Sequence, residues 1–164
     1  MRTVYKLRWA RPLDEKPSCI PTARLRGVKA AGLKYEKSFG KAVPAARHGQ
    51  WFEFCDANGP GFCQPDYLLR LDDQLVVLEC KLSLVDEAFE QLEGLYFPVL
   101  EKITGFRPLG VVVTKNIRPI GVKTAIRPDL ISAIDAAKIG LRGVFHWLGS
   151  PSQIWPSEVH RRAA

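Results

Sequence analysis

Asp66, Glu79 and Lys81 are the side chains of this sequence best suited to chemistry. Two carboxylates offer the oxygen ligands that Mg²⁺ prefers, and water or phosphate oxygens fill the other positions around such an ion. A divalent cation lowers the pKa of a bound water molecule, which becomes a better nucleophile. A lysine beside the carboxylates can orient or deprotonate that water, or stabilise charge on a phosphate. These residue types therefore indicate a divalent-cation site, provided that the fold brings them together.

A β-hairpin is the element that is predicted to position them. Residues 64–70 and 75–81 flank a polar turn at residues 71–74, and a symmetric turn there makes the numbers of facing residues add to 145. Asp66 then faces Glu79, Gln64 faces Lys81, and all four side chains share one face. Opposed like charges destabilise a hairpin, which favours a cation between the carboxylates. The alternative is an ordinary Glu–Lys pair on a solvated strand face.

The second strand of this hairpin is predicted to be buried. Its sequence, residues 75–82, is apolar except at Glu79 and Lys81. Because side chains alternate along a strand, Cys80 is expected on the opposite, core-facing side, where it is predicted to be buried.

The same residues resemble a known superfamily of nucleases. Pro65-Asp66, followed after the hairpin by Glu79-Cys80-Lys81, is similar to the PD-(D/E)xK signature of restriction-endonuclease-like enzymes. The resemblance implies an Mg²⁺ or Mn²⁺ ion held by Asp66, Glu79 and the backbone carbonyl of Cys80. Lys81 would position or activate the attacking water. Gln64, expected opposite Lys81, is an accessory candidate for holding a water or a phosphate oxygen.

Two flanking helices extend the resemblance. A helix is predicted over residues 24–39, and its Gly-Leu-Lys-Tyr-Glu stretch, ending at Glu36, resembles the Gly-x-x-Tyr-Glu of archaeal-type Holliday-junction resolvases. By that resemblance Glu36 is a further metal or water ligand; the alternative is an exposed helix residue. RecB-like nucleases carry a glutamine and a tyrosine four residues apart on the helix after the hairpin. Here Gln91 is an accessory candidate, but Leu95 stands at that offset and Tyr96, expected to pack in the core, is one residue late.

The predicted fold class is α/β, with a central mixed β-sheet flanked by helices. The resemblance implies the restriction-endonuclease-like core order of helix–strand–strand–strand–helix–strand. Further strands are predicted at residues 51–54, 109–114 and 143–148, and a further helix at residues 130–137. Three regions are expected: a basic, proline-containing arm at 1–23, the nuclease domain at 24–149 and a tail at 150–164.

Positive charge is concentrated near the amino terminus. The chain has a formal net charge of +7, but residues 1–47 hold 12 Lys or Arg and only 3 Asp or Glu. A basic segment of this kind favours phosphate contacts. The nucleic-acid-binding candidates are Arg24, Arg26, Lys29 and Lys34. The alternative for each of them is an ordinary solvated surface.

These observations predict a metal-dependent deoxyribonuclease, with a structure-selective endonuclease such as a Holliday junction resolvase favoured. A RecB-like exonuclease and a non-catalytic nucleic-acid-binding protein on a nuclease fold are the alternatives. DNA is the expected partner, with recombination or repair proteins as further ones, and two symmetric cuts in a junction imply a homodimer. No run approaches membrane-spanning length and the first residues are too charged for a secretory signal, so we expect a cytoplasmic protein and no membrane partner.

Overall fold

The computed structural model describes residues 2–21, 26–117 and 124–154. Over these residues the chain is a mixed α/β protein, as expected. The strands are β1 Trp9–Leu13, β2 Arg47–His48, β3 Trp51–Asp56, β4 Gly59–Cys63, β5 Tyr67–Leu71, β6 Gln74–Ser83, β7 Leu109–Asn116, β8 Thr124–Arg127 and β9 Arg142–His146. The helices are α1 Val28–Ala42, α2 Asp86–Gln91, α3 Phe97–Thr104 and α4 Leu130–Lys138. A π-helical turn, Leu92–Tyr96, joins α2 to α3 in one continuous segment, so three helical segments pack on the sheets.

The larger sheet has six strands in the order β2-β5-β6-β7-β9-β8. Its β2–β5 and β5–β6 pairs are antiparallel, and β6, β7, β9 and β8 run parallel to their neighbours. Parallel strands are covered on both faces and are apolar on both, which explains the buried runs at residues 76–78 and 111–113. A mixed multistrand sheet flanked by helices is therefore confirmed.

A separate hydrophobic core covers each face of this sheet. On one face α1 and α4 pack against the strands, and this core includes Phe39 from α1, Leu78 from β6 and Phe145 from β9. On the other, the α2–α3 segment and a smaller sheet, β1-β3-β4, pack around residues such as Phe54 and Val77. The even and odd residues of β6 divide between the two faces, as alternation along a strand requires.

The predicted hairpin register is confirmed. Tyr67 pairs with Leu78 and Leu71 with Gln74, so facing numbers add to 145. Asp72 takes a positive φ of 49°, which an aspartate in a tight turn tolerates. The β5 pairing stops at Tyr67, whereas β6 continues to Ser83. The edge of β6 beyond Leu78 is therefore open toward β5.

The amino-terminal segment, predicted to be a basic arm, packs on the body of the protein through a strand. Strand β1 pairs antiparallel with β3, with Trp9 opposite Cys55. Arg2 also forms an ion pair of 2.5 Å with the fully buried Asp56, which accepts the Tyr5 N–H. The predicted strand at 51–54 is accordingly the third strand. The sequence did not predict β1, because a strand at the edge of a small sheet needs no long apolar run and the prolines of this segment are not typical of a strand.

Helix α1 begins four residues later than predicted and ends later, at Ala42. It has a glycine, Gly27, as N-cap and no side-chain cap, and it is anchored by the buried Tyr35 and Phe39. Arg24 lies outside the described residues, as does the tail from residue 155 onward. In the described part of the chain, no helix is both long and apolar enough to cross a membrane.

Candidate active site

Asp66 and Glu79 lie where β5 separates from β6, one position beyond the last pair of the hairpin. The Cys80 N–H donates to Asp66 Oδ2 at 2.7 Å. In an antiparallel strand the N–H and C=O of one residue point to the same side. The carbonyl of Cys80 is therefore directed to the same open edge as its N–H, beside the Asp66 carboxylate.

Glu79 is almost completely buried, with a side chain 2% exposed. Lys81 Nζ donates to its Oε1 at 2.5 Å. The other carboxylate oxygen, Oε2, is buried and has no hydrogen-bond partner among the described residues. A buried acceptor left without a partner costs stability, of the order of 1–3 kcal/mol, so this atom indicates a place for a cation or another donor.

The carboxyl groups repel one another electrostatically. Burial, followed by the charges of Glu79 and Glu36, raises the pKa of Asp66 to about 8. Burial also raises the pKa of Glu79, against the opposing effect of Lys81. For Lys81, burial favours the neutral amine, but the Glu79 and Asp66 carboxylates outweigh it and hold its pKa above the usual value. Lys81 is therefore a stable cation beside carboxyl groups that resist ionising together.

Glu36 reaches the site from α1. It lines one cleft of about 400 Å³ together with Asp66, Cys80 and Lys81. Its carboxylate Oε1 lies 2.8 Å from His48 Nε2, in β2. His48 is a site neighbour that the sequence did not indicate, because a single histidine in a short polar strand carries no pattern.

Tyr67 fixes the position of Glu36. Its hydroxyl donates to the Glu36 backbone carbonyl at 3.0 Å. The Tyr67 ring also passes so close to α1 that a Cβ at Gly40 would lie 2.1 Å from the hydroxyl oxygen. Glycine at position 40 therefore lets the tyrosine tie α1 to the β5–β6 hairpin.

Gln64 lies outside the paired strand, because β5 begins at Tyr67. Its side-chain amide donates to the Gly49 backbone carbonyl at 3.0 Å, and its backbone carbonyl accepts the Tyr96 hydroxyl at 3.0 Å. Gln64 thus holds the segment before Asp66 in place. It does not line the cleft that contains Asp66 and Lys81.

Gln91 and Tyr96 meet despite their spacing. The Gln91 side-chain amide donates to the Tyr96 hydroxyl. In an α-helix residues four apart share a face, but a π-helical turn bonds residues five apart, and the turn at Leu92–Tyr96 brings this pair together. Tyr96 packs in the core, 2% exposed. Burial and the charges of Glu79 and Asp66 raise its pKa, so its ring also lies near the site carboxyls.

The remaining predicted residues are distributed around α1. Lys29 lines the cleft with the carboxyl groups, whereas Lys34 lines a neighbouring cavity on the other side of α1. Arg26 is exposed just before the helix. Cys80, predicted to be buried, is only partly so: it packs against the α1 core but also lines the cleft. The opening of the hairpin beyond Leu78 exposes it there.

A divalent cation fits the donor atoms of this site. Over the described ranges, no three His, Cys, Asp or Glu side chains form a ready-made cage for a metal. Mg²⁺, however, needs only one or two carboxylates when water and phosphate supply the other ligands. The unpartnered Glu79 Oε2, the Asp66 carboxylate and the Cys80 carbonyl meet that requirement.

Comparisons of this chain with protein-family models, with curated proteins and with solved structures found no match. What the site does must therefore be inferred from its own residues and from the resemblance of its motifs.

Proposed function

We propose that this protein is a nuclease that hydrolyses phosphodiester bonds of DNA with the help of Mg²⁺ or Mn²⁺. The observation that carries the proposal is the buried, unpartnered Oε2 of Glu79, whose other oxygen accepts from Lys81 and whose charge raises the pKa of Asp66. A structural Glu–Lys pair on a solvated face would leave both carboxylate oxygens in water. The burial of Glu79 with an orphan acceptor favours a further ligand.

Asp66, Glu79 and the Cys80 carbonyl would hold the cation, with Glu36 as a further ligand. When bound, such an ion supplies charge stabilisation and a water of lowered pKa. Lys81 is held by Glu79 and stays protonated. Its part in the reaction is therefore to orient the attacking water and stabilise charge on the phosphate, rather than to accept a proton. Fixed charges of this kind act before the reaction begins and need no rearrangement during it.

The arrangement of elements supports membership of the PD-(D/E)xK superfamily. Helix α1 precedes the strands β2, β5 and β6 of the larger sheet, the α2–α3 segment follows them, and β7 then lies parallel to β6. The resemblance implies the order helix–strand–strand–strand–helix–strand for a restriction-endonuclease-like core, and these elements of the larger sheet follow one another in that order. The Gly-x-x-Tyr-Glu stretch on α1 supports a structure-selective endonuclease, for which a four-way junction is the proposed substrate and a homodimer the proposed assembly.

A RecB-like exonuclease is the second candidate. The contact between Gln91 and Tyr96 favours it, because the π-helical turn restores the pairing that an α-helical spacing of four would give. Both candidates use the same hydrolytic residues and differ in the DNA they accept.

Cleavage of a labelled DNA panel tests the proposal. The panel contains single strands, blunt duplex, a flap and a four-way junction, each with Mg²⁺, Mn²⁺ or EDTA. We expect metal-dependent cutting that is lost in Lys81→Ala and Asp66→Asn. Lys138→Ala is the matched control, since it removes an exposed lysine that is paired with Asp135. Paired nicks in the junction identify a resolvase, and shortening from ends identifies the exonuclease. Binding without cleavage, unchanged in the variants, would reject the enzyme and leave a DNA-binding protein.

A further inference from the structure

A trough runs along one side of α1 through the candidate site. The cleft of about 400 Å³ that holds Glu36 and Asp66 is adjacent to a second cavity, of about 340 Å³, lined by Lys37, Lys41, His48 and Tyr67. The two cavities adjoin at two places. Glu36 of the first is hydrogen-bonded to His48 of the second, and Asp66 of the first directly precedes Tyr67 of the second in the chain. We call these two cavities together the α1 trough.

Helix periodicity divides the residues of the trough into two rows. Gly32, Glu36 and Gly40 follow one another at intervals of four, so Glu36 has a glycine one turn away on either side. Lys29, Leu33, Lys37 and Lys41 form the adjacent row at the same interval. The site carboxylate therefore lies midway along the trough, with a lysine row beside it.

The lysines of this row have no counter-charge among the residues that the structure describes. Lys29, Lys37 and Lys41 are exposed, and no ion pair joins any of them to another described residue. Glu36 is the one acidic residue of α1. By contrast Lys138 pairs with Asp135 on α4. Like charges four residues apart destabilise a helix, so Lys37 and Lys41 disfavour α1 unless an anion lies between or beside them.

The spacing of these charges matches a polymer of phosphates. Lys29 and Lys41 are twelve residues apart, which is about 18 Å along a helix axis at about 1.5 Å per residue. A DNA strand rises about 3.4 Å per nucleotide in B-form. The trough therefore spans roughly five nucleotides, with the carboxyl groups near its middle.

We propose that one DNA strand lies along the α1 trough and continues on both sides of the bond that is cut, so that the protein attacks internal bonds. Lys29 contacts phosphate on one side of the site, and Lys37 and Lys41 contact phosphates on the other. This inference rests on the proposed nuclease function. It adds the strand path and two new contact residues, Lys37 and Lys41, and it favours the endonuclease over the exonuclease.

Substrates without ends test the outcome. We expect a covalently closed circle that carries a four-way junction to be cut with Mg²⁺ at a rate within a few fold of a linear duplex that carries the same junction. Shortening of the linear duplex from its ends while the circle stays intact would overturn this inference and leave the nuclease function standing. Absence of cleavage on every substrate would reject the nuclease function, and the strand path is then decided by binding alone.

Binding in EDTA tests the two sides of the trough without chemistry. Each lost phosphate contact on a single strand reduces the slope of log K against log salt by about 0.7. We expect a reduction of about 0.7 for Lys29→Ala and about 1.4 for the double variant Lys37→Ala/Lys41→Ala. The double variant Lys102→Ala/Lys138→Ala, which removes two exposed lysines from the last turns of α3 and α4, is expected to keep the wild-type slope. A change on only one side of Glu36, or an equal change in the control, would overturn the path.

Discussion

Replacing Asp66 with asparagine is expected to make the metal-free protein more stable. Burial and two neighbouring carboxylates raise the pKa of Asp66 from 3.8 to about 8 in the folded state. Below pH 4 the carboxyl is protonated in both the folded and the unfolded chain and costs nothing. Between pH 4 and 8 the unfolded chain ionises it while the folded protein keeps the proton, so the free energy of unfolding falls as the pH rises.

The magnitude follows from the size of the shift. At about 1.4 kcal/mol per pH unit, the loss by pH 7 has a ceiling of about 4 kcal/mol. Solvent reaches this half-buried carboxylate and screens part of the repulsion, so we expect Asp66→Asn to add about 2 kcal/mol at pH 7. Asparagine can still accept the Cys80 N–H through its side-chain oxygen. For a chain of this size the gain corresponds to a rise of about 4–8 °C in Tm.

Urea denaturation at pH 5, 7 and 8 in EDTA measures this gain in stability. The same series in Mg²⁺ measures how far a bound cation stabilises the wild type in return. A cation present at 100 times its Kd stabilises the wild type by about 2.7 kcal/mol, which would cancel or reverse the advantage of the variant. The control is Asp135→Asn, an exposed carboxylate paired with Lys138, where we expect a change within about 0.5 kcal/mol. A less stable Asp66→Asn protein in EDTA, or a gap that does not grow from pH 5 to 8, would refute the reasoning.

Three further substitutions have expected effects on the free energy of unfolding, each measured by urea denaturation followed by circular dichroism. Lys81→Ala removes the partner of the buried Glu79 and should cost about 3 kcal/mol at pH 8; a loss no larger at pH 8 than at pH 5, where Glu79 takes up a proton more readily, contradicts this. Gly143→Ala places a Cβ 2.4 Å from the backbone oxygen of Ala133 and should cost about 2 kcal/mol or more. Gly32→Ala, whose Cβ meets nothing within 4 Å, should instead add about 0.5–1 kcal/mol, and a loss there would contradict the helical geometry given for α1.

The hairpin was predictable because its signals are local. The turn at Asp72 and the apolar run of β6, interrupted only at Glu79 and Lys81, together favour one register, and a slip by one residue would move every side chain to the wrong face. The placement of Asp66 next to Glu79 followed from that register alone. The sequence pattern of about twenty consecutive residues was therefore enough to predict the centre of the candidate site.

The rest of the site depends on contacts between distant segments. His48 meets Glu36 only because the short strand β2 pairs with β5. Strand β1 pairs with β3 through residues that are 38 to 46 positions apart in the chain. The end of β5 at Tyr67 likewise follows from tertiary contacts, since Gln64 is held by Gly49 and Tyr96 instead of by β6. Periodicity contains no information on such partners.

The π-helical turn at Leu92–Tyr96 has a consequence for how motifs are compared between proteins. A π-helical turn takes up one residue more than an α-helical turn, so Gln91 and Tyr96 lie on one face although they are five positions apart. A search for a fixed interval between Gln91 and an aromatic residue finds Leu95 and rejects the chain, although the two side chains touch. The two side chains are one helical turn apart, and the number of residues in a turn depends on the type of helix. Intervals measured in turns are therefore the better unit for this helix than intervals measured in residues.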